Sequence, residues 1–270
     1  MRNQRIGGLL LALTLAAGLL TGCGPLPEPE TPADDRPVLT VGVDAYPPYA
    51  YVGSAGTPTG IDVELATEAF GRMGYRAEFR FIDWTEKAAL LENGDIDCIW
   101  CCFSMDGREE DYRWAGPYMV SRQVVAVMPD SSITDLSELE GRTLAVQTST
   151  KPEELFLHPE ESGLPRLRQL FSLHNRELIY PFLSKGYADA IAAHEISILQ
   201  YMADYDMELR ILDQPLLTVG LGVAFHPDDQ RGLDETLHTV LADMRRDGTA
   251  ETIIGGYLPD AASYLEVDGQ

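Results

Sequence analysis

Arg108 has the side chain best suited to holding a small anion. It follows Ser104-Met105-Asp106-Gly107. A planar fork of donors meets a carboxylate through two parallel bonds, which a lysine cannot imitate. By its neighbours alone, Glu109, Glu110 and Asp111, it reads equally as a surface ion pair. Thr150 and Lys151 lie between a strand ending at Gln147 and a helix start, where free backbone N–H groups attract an anion. His194, Glu195 and Lys151 are acid and base groups, but no nucleophile, metal or phosphate motif accompanies them. Cys98, Cys101 and Cys102 share one short segment. Residues 98 and 101 of an extended strand face opposite sides, which disfavours a bridge. A second paired cluster that would argue for zinc is lacking. We therefore expect small buried hydrophobes and no metal.

The elements that must position these residues recur twice. Val38 to Val43 is a short β-branched run. Ile61, Leu65, Ala69 and Met73 then mark a helix face, with Ala66 and Phe70 alongside, and Gly74 ends it. Tyr75 to Phe81 alternates as a strand. Ala88, Leu90 and Leu91 sit on a short helix closed by Gly94, and Ile96 to Trp100 reads as a buried strand. The order β-α-β-α-β favours a mostly parallel sheet with helices on both faces. It returns with a strand at Thr143 to Gln147, a helix start at Pro152 to Leu157 and a strand at Leu167 to Leu173. A helix face follows at Leu178, Ile179, Phe182 and Leu183, then a strand at Ala190 to Ala193 and a further helix from Ile196. The apolar segments Val124 to Met128 and Leu217 to Phe225 flank this second unit, and Gln230 to Tyr257 is expected to be helical. The economical arrangement is two lobes joined by two crossing strands. Lobe I comprises residues 38–126 and 219–258, lobe II residues 127–218, and 259–270 form a tail. A cleft between lobes is a usual place for a ligand.

Arg2 and Arg5, the apolar run Leu9 to Leu20 and a small-residue close form a secretory signal over residues 1–22. Leu20-Thr21-Gly22-Cys23 resembles the bacterial lipobox, which implies a lipidated Cys23. Residues 24–37 carry five prolines and four acids and read as a solvated tether. The mature chain is thus expected outside the cytoplasm, anchored by lipid. The net charge of −23 would repel nucleic acid and anionic lipid surfaces. Solubility accounts for it without a cationic ligand.

Several stretches together resemble the polar-amino-acid (family 3) group of solute-binding proteins that feed ABC importers. They are Val41-Gly42-Val43-Asp44-Ala45-Tyr46-Pro47-Pro48-Tyr49, Gly60-Ile61-Asp62-Val63-Glu64-Leu65-Ala66, Asp83-Trp84, Gly94-Asp95-Ile96-Asp97 and Gly116-Pro117-Tyr118. Leu136 to Gln147 and Asp247-Gly248-Thr249 complete the set. The resemblance implies two Rossmann-like lobes with two hinge strands, the type II periplasmic-binding-protein fold. It implies a small polar ligand, an amino acid above all, with ABC permease subunits as partners, no cofactor and no catalysis. It assigns Arg108 and Ser104 to a ligand carboxylate, and Tyr46 and Trp84 to the ligand's two faces. Cys102 falls where a backbone carbonyl meets the ligand ammonium. Asp44 is near enough to Tyr46 to reach a side-chain amine. Thr150 stands where the group has a small hydroxyl residue. Lys151 departs from a second one; we expect it to point to water rather than to an acidic ligand group. The usual ammonium-binding Asp is replaced by His194, with Glu195 next as its substitute. Two other readings use the same residues: a lipoprotein sensor partnering a membrane receptor, and a small-acid dehydratase.

Overall fold

Residues 34–266 are described by a computed structural model. The expected signal, Cys23 and residues 24–33 of the tether lie outside the described residues. The β-branched run after the tether forms β1 (Val38–Val43). The chain continues through β2 (Tyr51–Val52), β3 (Pro58–Thr59), α1 (Ile61–Arg72), β4 (Arg76–Phe81), α2 (Lys87–Glu92), β5 (Cys98–Ser104) and β6 (Arg113–Val127). The second unit holds β7 (Thr143–Gln147), α3 (Lys151–Leu157), α4 (Pro159–Ser162), β8 (Gln169–Leu173), α5 (Ile179–Ser184), β9 (Ala190–His194), α6 (Glu195–Tyr205) and β10 (Arg210–Ile211). β11 (Leu217–Phe225), α7 (Leu233–Arg246) and α8 (Thr249–Gly255) close the chain, followed by a short 3-10 turn at Ala261–Leu265.

Among the described residues the strands form one path, β4-β1-β5-β11-β6-β9-β7-β8, with β10 on β6. β1 pairs in parallel with β4 and β5, and β7 with β8 and β9. Each trio is the product of two helical crossovers, and such crossovers force parallel pairing. Between the trios run β11 and β6, antiparallel from Leu217 opposite Gln123 to Phe225 opposite Arg113. The two central strands serve both trios. The antiparallel partner explains why β6 starts at Arg113, well before the expected crossing segment Val124 to Met128. Likewise β5 runs two residues later at its start and four later at its end than Ile96 to Trp100, because β11 pairs it as far as Ser104.

The apolar stripe of α1 is buried as its spacing demands: Ile61, Leu65, Ala66, Ala69 and Phe70. Every residue of β5 is buried, as expected for a strand covered on both faces. The buried apolar residues fall into three clusters. One draws on residues 39–119 and 219–261 together with Ile196; the other two draw on residues between 124 and 212. Among the described residues no helix is long and apolar enough to cross a membrane.

Candidate functional site

Two parallel pairs of strands, running in opposite directions, deliver their carboxyl ends to one place. β1 ends before Asp44 and Tyr46, β5 at Ser104, β7 before Ser149 and Thr150, and β9 at His194. Loops at such ends are free to carry ligands, because the sheet fixes their bases. A cavity of about 390 Å³, its open mouth included, lies there. Tyr46, Trp84, Cys102, Ser104, Arg108, Thr150, Lys151 and His194 all line it, with Phe103, Gln123, Ser149, Pro152, Arg176 and Ala193.

Local structure explains the floor. Gly60 opens α1 at φ 122°, where a Cβ would sit 2.4 Å from the Tyr49 carbonyl oxygen. That close approach lets the Ile61 and Asp62 N–H groups donate to Pro48 and Tyr49, so α1 starts directly beneath the loop carrying Tyr46. Asp62, buried at 1% exposure, accepts from the Tyr118 hydroxyl at 2.8 Å and from the Cys102 N–H at 2.7 Å. Cys102 holds φ +48°, a conformation costly for a side-chain-bearing residue. The Asp62 bond helps retain that kink, which directs the end of β5 into the cavity. All three thiols are buried and free, and burial pushes each above its ordinary range.

The walls are aromatic and cationic. Trp84 meets Phe103 edge-on at 5.4 Å. The Arg176 guanidinium stacks on the Tyr46 ring, 3.1 Å from its centroid. Arg108 donates to the Ser104 carbonyl and to Glu154, both at 3.3 Å. These are long bonds for a guanidinium. The Lys87 ammonium lies over Trp84 and donates to the Trp84 and Ser149 carbonyls. Burial, then Arg108 and Arg176, draw it down to about 8. His194 is neutral, lowered to about 3 by burial and by Arg176. Its Nδ1 bonds Ser121 at 2.8 Å and its Nε2 bonds Gln123 at 2.6 Å.

Three expectations change. Asp44 does not line the cavity: its Oδ2 accepts from Gln147 at 2.8 Å and from Arg176 at 3.0 Å. Glu195 does not line it either. It opens α6 rather than extending β9, and Arg122 holds it at 2.9 Å. Lys151 is not in open water: it lines the cavity and pairs with Glu154 at 2.6 Å. In the turn before α3 the Ser149 N–H gives its bond to Glu153 at 2.6 Å.

Sequence reasoning missed Arg176 and Gln123. Arg176 was detectable as a cation just past the end of a parallel strand. Gln123 was detectable as an amide immediately before the apolar run Val124 to Val127 of β6. It faces His194 of β9 and Leu217 of β11 in the ladder, where the two central strands meet the second trio.

Comparison with known proteins agrees with this architecture. The profile of the bacterial extracellular solute-binding proteins, family 3, matches residues 39–260. The glutamate-binding protein GluB of Corynebacterium glutamicum is 25% identical over 281 residues, covering 97% of this chain and 93% of that protein. The histidine-binding periplasmic protein of Escherichia coli is 25% identical over 229 residues, 81% of this chain and 86% of its own. Among solved structures, Tv2483 bound to L-arginine gives a TM-score of 0.76 at 26% identity, covering 85% of this chain and 93% of that one. The substrate-binding protein of an amino acid ABC transporter gives 0.73 at 23% identity, covering 82% and 99%, and speaks for the fold alone. This chain is a binding protein rather than an enzyme, and it belongs to family 3 of the bacterial extracellular solute-binding proteins.

Proposed function

We propose that the chain captures an amino acid between two lobes outside the cytoplasm and presents it to an ABC importer, tethered by lipid on Cys23. One observation carries the capture reading. The cavity takes its polar walls from both sides of the central strands: Ser104 and Arg108 from one, Thr150 and Lys151 from the other. A ligand touching both sides at once favours the closed arrangement, and only such differential contact shifts an equilibrium. The apolar clusters divide between residues 119 and 124 and between residues 212 and 219, which supports a crossing at 218/219 and places the other a few residues before 126/127. The glutamate- and histidine-binding relatives, and the arginine-bound neighbour, support an amino acid.

Arg108 is assigned the ligand carboxylate, with Ser104 as a second donor and Tyr46 and Trp84 as the aromatic faces. Thermal unfolding of residues 24–270, freed of bound solute and screened against amino acids, tests the assignment. A ligand that binds only the folded chain raises the melting temperature with its concentration. Arg108→Ala should weaken that ligand about tenfold to a hundredfold, the worth of a charge-assisted pair of bonds. The unliganded melting temperature should hardly move, because Glu154 opposite Arg108 is half exposed and such pairs contribute little. Unchanged affinity in Arg108→Ala would remove the carboxylate assignment.

A further inference from the structure

The charge around the cavity is one-sided. Arg108, Lys151 and Arg176 line it, and no carboxylate does. Of the nearest acids, Asp44 is engaged by Arg176 and Gln147 and Glu154 by Arg108 and Lys151, while Glu153 accepts from the Ser149 N–H and Asp106 from the Ser104 hydroxyl. A fourth cation, Lys87, sits close by with its ammonium on two backbone carbonyls rather than on an acid. His194, in the wall, is neutral. The Nε of Arg176, buried at 8% exposure, has no hydrogen-bond partner among the described residues. The lining cations stand in a chain whose own net charge is −23, so average composition does not explain their gathering at the cavity.

We propose that the cavity selects a small solute of net negative charge bearing two anionic groups, over neutral and cationic amino acids. The inference rests on the capture reading above and names its substrate class. One carboxylate meets Arg108 and Ser104. The second meets the cations contributed from the opposite side, Lys151 and Arg176. The Lys151 and Arg176 side chains are only 10% and 8% exposed, so the attraction is stronger than at the surface. A cationic side chain would meet three lining cations and no lining carboxylate, which rejects it actively. An ammonium on the same solute has an uncharged acceptor in Gln123 Oε1, buried and without a partner among the described residues.

Isothermal titration of the full chain, unfolded and refolded to remove bound solute, tests this directly. L-glutamate, L-aspartate, glutarate and succinate are titrated against L-glutamine, L-histidine and L-arginine. An acidic member should bind at least about tenfold more tightly than glutamine, equivalent to one charged contact, and arginine should give no heat. Lys151→Gln, with its unliganded melting temperature checked, should narrow the glutamate-to-glutamine ratio severalfold. If that variant does not fold, high salt should weaken glutamate more than glutamine in the parent chain. Tightest binding of a neutral or cationic amino acid overturns the charge assignment while leaving capture intact. No heat from any amino or dicarboxylic acid overturns both.

Discussion

Asp62 and His194 sit on opposite sides of one polar cluster, and burial acts on them in opposite senses. Burial raises the Asp62 carboxyl to about 7, against the bonds from Tyr118 and Cys102 that favour its charge. Between about pH 4 and 7 the folded chain holds a proton that the unfolded chain releases. Its contribution is therefore full below 3.8 and is lost as pH rises through about 7. His194 is held at about 3 against an ordinary 6.5. Its contribution is present above 6.5 and is lost as pH falls toward 3. In the parent chain the two slopes oppose one another. Asp62→Asn should uncover the histidine, so stability rises with pH across roughly 3 to 6.5. His194→Gln should uncover the aspartate, so stability falls as pH rises from about 4 to 7. Either change should reach a few kcal/mol over its window, read as urea unfolding free energy against pH. Parallel profiles in the two variants would contradict the assignment.

Two glycines of the same segment behave oppositely at the scale of elements. Gly60 stands at φ +122° with backbone oxygens of Pro48 and Tyr49 within 2.8 Å of any added Cβ. Backbone cannot swing aside as a side chain does. Gly60→Ala should cost roughly 2 kcal/mol or more and disturb the loop of Tyr46. Gly71, inside α1, has only the Arg36 side chain near, at 3.6 Å. Gly71→Ala should stabilise by about 0.5–1 kcal/mol through helix propensity. Chemical denaturation of the two variants gives the signs. The position of α1 was legible from its four-residue spacing. The need for glycine at 60 was not, because the obstructing atoms come from another loop.

Closure belongs to the whole molecule. The Gln147 amide donates to Asp44 at 2.8 Å, Lys87 to the Ser149 carbonyl at 3.3 Å, and the His194 N–H to the Tyr46 hydroxyl at 3.2 Å. Each bond joins the two trios of the sheet. Gln147 itself does not line the cavity. Gln147→Ala should therefore weaken every ligand by a common factor, about fivefold for one hydrogen bond, because a smaller closed fraction lowers apparent affinity. Small-angle scattering of the unliganded variant should show a larger radius of gyration. A loss confined to one ligand would instead mark Gln147 as a direct contact.

Repeated β-α-β order, apolar spacing and the joint run of motifs determined the fold class from sequence alone, because those signals are local and each helix or strand writes its own period. The same reading found Tyr46, Trp84, Ser104, Arg108 and Thr150, which all line one cavity. Ion-pair choice lay beyond it. Asp44, Glu195 and Lys151 found Arg176, Arg122 and Glu154, two of them partners far away in the chain. A charged side chain pairs with whatever the fold brings within a few ångströms, and charge pairing carries no periodicity along the sequence. The tertiary structure alone decided that the cavity would be lined by cations, with Asp44 and Glu154 beside it already paired.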